Sequence, residues 1–289
     1  MLIRLSGWCV VLVALVSLPF ASVRAQKPPA LPDLLTVASD SVARYAQELG
    51  TVAADEEFVQ YETSSGRMST PKRLNSLVVL YAQGDGAIVN FRDLVGIDTV
   101  PVRARDDRLA ALFTSPSDAS LASAQEMTEA AVKAYFSPNL HLLDRPLLAL
   151  DLIRAANQPN STFKIEGTKK MDGASVAVLK FNEKGTGHLM NDAAAIGRVW
   201  IEPDSGVIHQ TELGFVSRAA NITATVKLAR DETLGMFVPV ELFEQVQASA
   251  VGNGTNNMGA ASGSGDLGGR QSMEGRARYS AYRRISVHR

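Results

Sequence analysis

From Leu34 onward, apolar residues recur at three- and four-residue steps: Leu34, Leu35, Val37, Ala38, Val42, Tyr45 and Leu49. That period predicts an amphipathic helix, opened by Pro32 and Asp33 and broken near Gly50. Its single apolar stripe needs a surface to cover. The period then falls to two. Glu57–Thr63, Leu74–Gln83 and Ala87–Leu94 read as strands, the last two joined by Gly84-Asp85-Gly86. Glycine accepts the positive φ that tight hairpin turns demand.

The middle of the chain turns helical. Arg105–Phe113, Asp118–Phe136 (Asp118 as N-cap) and the strongly apolar Pro146–Ala156 are the expected segments. From residue 161 the texture is β throughout: Thr162–Lys169, Ser175–Asn182, Gly197–Ile201, Val207–Val216, Ile222–Ala229, Phe237–Ala248 and Met273–Val287. The turns between them are short, which predicts antiparallel neighbours, because parallel strands need long crossovers. The Gly-, Asn- and Ser-rich stretch 251–269 reads as a flexible loop.

Two strands are apolar on both faces. In Leu74–Gln83, Leu74, Val78 and Leu80 oppose Leu77, Val79 and Tyr81; in Ser175–Asn182, Val176 and Val178 oppose Ala177, Leu179 and Phe181. A sheet with one wet face would alternate cleanly. Helices are therefore expected on one side, and helices or a bound apolar molecule on the other.

The start of the chain changes the picture of where it works. Arg4, the apolar run Trp8–Phe20 and Val23-Arg24-Ala25 read as a signal peptide over 1–25, cleaved before Gln26. Residues 26–32 then form a tether, and 33–289 one domain with a helical insert at 105–156. Cleavage removes Cys9, the only cysteine, so an exported chain of this kind relies on its core, which suits a bacterial periplasm. No other apolar run is long enough for a membrane span. With 29 basic and 30 acidic residues and 46% hydrophobic content, nothing favours nucleic acid as partner. Oligomeric state is left open.

Candidate chemistry is thin. Gly263-Ser264-Gly265-Asp266-Leu267-Gly268 spells G-x-G-x-x-G, but no strand precedes it and no helix follows, so no dinucleotide cofactor is expected. Ser69-Thr70-Pro71-Lys72 matches the S-x-x-K of acyl-serine enzymes, with Ser137-Pro138-Asn139 and Lys184-Gly185-Thr186-Gly187 further on. That chemistry needs Ser69 and Lys72 one helical turn apart, and Pro71 with a following strand argues for a turn instead. His141, His188, His209 and His288 make no metal-ligand spacing, so no metal is expected. Arg276, Arg278, Arg283 and Arg284 make the last strand basic, as in a strand that protects a sheet edge.

Gly197-Arg198-Val199-Trp200-Ile201-Glu202-Pro203-Asp204-Ser205-Gly206 resembles the strand, D-x-x-T/S-G turn, strand element of the periplasmic lipoprotein-carrier (LolA/LolB-like) proteins. The segment Glu274–Ser280 and its continuation to Ile285 and Val287 is similar to final strands of related secreted bacterial proteins. The resemblance implies an incomplete antiparallel barrel wrapped around helices, with an apolar cavity for acyl chains. The expected class is thus α+β: a curved antiparallel sheet, helices on its concave side, and a bound lipid or lipoprotein acyl chain without catalysis. Trp200, Leu213, Phe215 and Phe243 are the expected cavity walls, with Leu148 and Leu152 on a lid helix. A structural or interaction module of the envelope with a filled core is the alternative, and an acyl-serine hydrolase using Ser69 and Lys72 a further one.

Overall fold

The computed structural model describes residues 29–64, 66–103, 106–135, 143, 145–185, 187, 189, 193–217, 220–248 and 271–286. The expected leader 1–25, the loop 251–269 with its glycine motif, Ser137-Pro138-Asn139, His141, His188 and His288 lie outside them.

Helix α1 (Leu31–Leu49) starts with Pro32 in its first turn. It ends at Gly50, whose φ of 56° suits glycine and whose N–H donates to the Ala46 carbonyl at 3.1 Å. The strands β1 (Thr51–Ser64), β2 (Arg67–Met68), β3 (Lys72–Ala82), β4 (Ile88–Ile97) and β5 (Val100–Pro101) follow. Helices α2 (Arg108–Leu112), α3 (Asp118–Tyr135) and α4 (Leu148–Ile153) interrupt them. The chain then runs β6 (Ser161–Met171), β7 (Ala174–Glu183), β8 (Ala195–Ile201), β9 (Ile208–Val216), β10 (Ala220–Asp231), β11 (Met236–Ala248) and β12 (Ser272–Arg284).

The strands form one sheet of 12, ordered β5-β4-β3-β1-β12-β11-β10-β9-β8-β7-β6, with β2 paired to β1. All its pairings are antiparallel, as the short turns required. Helix α4 is only about 9 Å long at 1.5 Å per residue, yet it touches both β4 and β9. Those strands stand six places apart in the sheet, which would separate them by about 29 Å if it were flat. The sheet is therefore curved.

The basic last strand is not an edge. β12 lies between β1 and β11, pairing with both. Its alternation explains this: Met273, Ala277 and Tyr279 are buried on one face, and Arg276 and Arg278 are exposed on the other. The outermost strands are β5 and β6, and β6 exposes Lys169 and Lys170.

The helices divide between the two faces. Leu34, Ala38, Val42 and Leu49 of α1 and Leu148, Leu150, Leu152 and Ile153 of α4 join one large core with Phe58, Leu74, Val78 and Leu80. On the opposite face of the same strands, Ala53, Leu77, Val79 and Phe91 pack against Leu109 and Phe113 near α2 and Ala124 of α3. The insert 105–156 is thus not one layer: α2 and α3 cover one face, and α4 joins α1 on the other. That explains the double-sided β3. For β7 the second face is covered more modestly, by Trp200 and Met171 over Val176 and Val178.

Candidate functional site

A cavity of about 330 Å³ lies where α1 meets the β8–β9 and β10–β11 turns. Leu150, Ile208, Leu228 and Met236 line it from the main core, and Phe237 closes one side. Its remaining wall is a helix face. Ser41, Arg44, Tyr45 and Glu48 stand at i, i+3, i+4 and i+7 of α1, so they present one row. Arg230 completes the polar rim from β10.

The sheet itself makes room here. Ladder pairing between β11 and β12 ends at Glu241 and Arg278, leaving Met236–Val240 and Tyr279–Arg284 without ladder partners in each other. Pro239 has no N–H to offer. Instead the Tyr282 hydroxyl donates to the Pro239 carbonyl at 2.5 Å.

The helix is fixed against this region by contacts to the turn after β8. Ser41 Oγ donates to the Gly206 carbonyl, and Arg44 Nη2 donates to the Ser205 carbonyl at 3.1 Å. Gly206 has φ of 75°, and a Cβ there would come within 2.9 Å of Ser41 Cβ. Only glycine permits that approach. At the other end of the row, Arg284 Nη1 donates to the Glu48 carbonyl at 2.6 Å, satisfying a helix-terminal acceptor. The Tyr45 hydroxyl is buried and has no hydrogen-bond partner in the structure. Burial raises its pKa, so it stands as a donor.

The expected wall residues separate into three groups. Leu213, Phe215, Leu148 and Leu152 are brought together in the main core, but none of them lines the cavity. Trp200 sits on the other face with Val176 and Val178, because its neighbours Val199 and Ile201 take the inward positions of β8. Phe243, likewise between inward Leu242 and Glu244, is 36% exposed, with the Arg276 guanidinium 5.1 Å above its ring. The cavity residues Tyr45, Leu228 and Met236 were missed. The polar row on α1 was legible as a helical repeat, but Arg230 and Phe237 approach it only through the tertiary fold.

The acyl-serine pair is not assembled. Ser69 is held in the turn beside β1, its Oγ accepting from the Glu62 N–H at 3.0 Å. Lys72 opens β3 and gives its ammonium to the Ala134 carbonyl. His209 is buried, with Nε2 2.8 Å from Glu202 Oε1 and its ring edge-on to Phe237. No group of three or more metal-ligating side chains occurs among the described residues.

A second polar constellation was also missed. Arg92 of β4 is 1% exposed and makes two bonds to Glu56 of β1, both 2.7 Å. Glu244 of β11 is fully buried nearby and accepts a bond from the Leu143 N–H. Burial pushes its carboxyl up to about 8, against the opposing pull of Arg92. Gln60 and Tyr279 are buried on the same face. Alternation gives the signal that would have found them: Ala54, Glu56 and Phe58 share one face, as do Leu242, Glu244 and Val246.

No family model matches the chain, and no curated protein matches it. Among solved structures it is similar to a DUF1329 family protein from Desulfovibrio piger, at 11% identity, 87% of this chain, 93% of that one and a TM-score of 0.36. It is also similar to a LolA superfamily protein from Nitrosomonas europaea (11% identity, 87% and 94% coverage, TM-score 0.34). A third is the Mycobacterium tuberculosis lipoprotein LppX (12%, 88% and 96%, TM-score 0.24). No helix of the described residues is long and apolar enough to cross a membrane.

Proposed function

We propose that this is an exported cell-envelope protein that binds one acyl chain in the cavity between α1 and β9–β11, without catalysis. In this reading the sheet curls with α1 and α4 on its concave side. The support is that α1 touches both β3 and β6 while α4 touches both β4 and β9. The observation that carries the binding role is the cavity, whose apolar wall (Leu150, Ile208, Leu228, Met236) is continuous with the core while its rim is polar. Its volume is in the range of small-molecule sites, and each methylene buried there contributes roughly 0.8 kcal/mol. Helix α4 forms one side of the cavity through Leu150. Arg154 fastens that helix to the β3–β4 turn through the Asp85 carbonyl at 2.5 Å, a latch for a lid.

A second reading has its own support. Side chains of α1 and α4 pack into one continuous buried core with the sheet, as in a structural module that carries nothing. A reporter tryptophan in the wall separates the two: Phe237→Trp in a Trp200→Phe background, titrated with a long-chain fatty acid after delipidation. A saturable fluorescence shift, lost when Leu228→Trp plugs the site, is expected for the binding protein. An unchanged spectrum, with no lipid found by mass spectrometry of the purified chain, would leave the structural module.

A further inference from the structure

Resting on the acyl-chain reading above, we infer that the cavity selects an anionic single-chain amphiphile, with Arg44 and Arg230 holding its head group and Tyr45 donating to it. The tail then lies along Ile208, Leu228 and Met236, which are part of the core. The head-group class is a carboxylate or a phosphate monoester on a linear chain.

Three observations point this way. First, the polar atoms offered at the cavity are mainly donors. Arg44 and Arg230 bring guanidinium groups, and Tyr45 brings a buried hydroxyl with no partner. A buried donor left unpaired is costly, and an acceptor on the ligand removes that cost. Second, neither Arg44 nor Arg230 forms a salt bridge with a carboxylate among the described residues. Arg92, Arg108, Arg154, Arg198 and Arg283 each do. The positive charge at this rim is available for a ligand, and guanidinium groups match carboxylate and phosphate oxygens in fork geometry. Third, the order of chemistry along the cavity is that of an amphiphile, with charge at the rim and aliphatic side chains behind it.

Glu48 is the one acid of the rim. It stands one turn after Arg44 on the same helix row and opposes an anion there. It therefore makes a prediction of opposite sign to the arginines.

The test is calorimetric titration of the delipidated full chain with myristate, lysophosphatidate and the neutral tetradecanol. At low salt the two anions are expected to bind at least tenfold more tightly than the alcohol, with a preference that shrinks as salt is raised. In the Arg44→Gln/Arg230→Gln double variant the anions should fall to the level of the alcohol. The alcohol's own affinity should stay unchanged and so report an intact fold. Arg44→Lys should keep most of the preference, and Glu48→Gln should increase it. Preference for only one anion would assign the head group as carboxylate or phosphate. Equal binding of all three ligands, or a preference surviving in the double variant, would overturn the inference and leave the acyl-chain reading in place. No binding of any ligand, alcohol included, would overturn both.

Discussion

The two halves of the core-facing sheet surface are built from different chemistry. Across β7–β10 it is mainly aliphatic and aromatic (Leu179, Phe181, Val199, Leu213, Phe215 and Val226), with Thr211 and Glu183 as buried polar members and no buried arginine–carboxylate pair in the described residues. Across β1, β4, β11 and β12 the same surface carries Glu56, Gln60, Arg92, Glu244 and Tyr279 among its apolar neighbours. Apolar contact is non-directional and survives small shifts of packing. A buried ion pair survives only in one arrangement, since each charge has given up its water. The ionic half is thus the fixed frame, and the apolar half is the one able to accommodate. The cavity spans the boundary between them, reaching Ile208 of β9 and Leu228 of β10 on the accommodating side and Met236 and Phe237 of β11 on the other.

Breaking the frame should have the largest effect. Glu56→Gln leaves Arg92 without its bidentate partner and should cost about 4 kcal/mol in urea unfolding. The loss is expected to be moderated by Glu244, whose pKa falls once the Glu56 charge that helps raise it is gone, making it a replacement counter-ion. Adding Glu244→Gln should therefore cost more than the two single changes predict, and simple additivity would deny the coupling.

Leu213→Ala, in the apolar half, should cost somewhat less, about 3 kcal/mol, because the surroundings relax only partly around the space left. If it cost more than Glu56→Gln, the assignment of frame and accommodating half would be reversed.

An effect spread over several pH units, and therefore small at any one of them, sharpens the contrast. Glu244 has a raised folded pKa, so the folded chain holds a proton that the unfolded chain has released between the ordinary carboxylate value and about 8. Its contribution is fully present at low pH and is lost as pH rises through that window. Glu244→Gln alone should flatten the decline by at most about 1.4 kcal/mol per pH unit. Denaturation midpoints from pH 5 to 8 would check it; parallel curves for the two proteins would reject it.

Local pattern foretold the helices and all the longer strands, because period, turn residues and the Pro32 and Gly50 boundaries are local quantities. It failed where meaning depends on distant partners. The strand expected from Glu57 begins at Thr51, since Ala53-Ala54-Asp55-Glu56 has little strand character, and Glu56 is buried against a partner 36 residues away. Trp200 and Phe243 are large aromatics, yet strict alternation places them on the face opposite Val199 and Leu242. The basic β12 reads as an edge because its central position is set by pairing with β1, which lies at the other end of the chain. The cavity was illegible for the same reason: four stretches of chain, residues 41–48, Leu150, 205–208 and 228–237, enclose it.

The position of β12 has a consequence for how the molecule is made. β5-β4-β3-β1 on one side and β11 to β6 on the other are each contiguous sheets built from earlier chain, and only β12 hydrogen-bonds to both. A ribosome that has not passed residue 272 has produced two half-sheets with raw edges and no keystone between them. Joining them requires a pairing of high sequence separation, a slow event by the entropy of loop closure. The two half-sheets thus remain unjoined by backbone hydrogen bonds until β12 has been made.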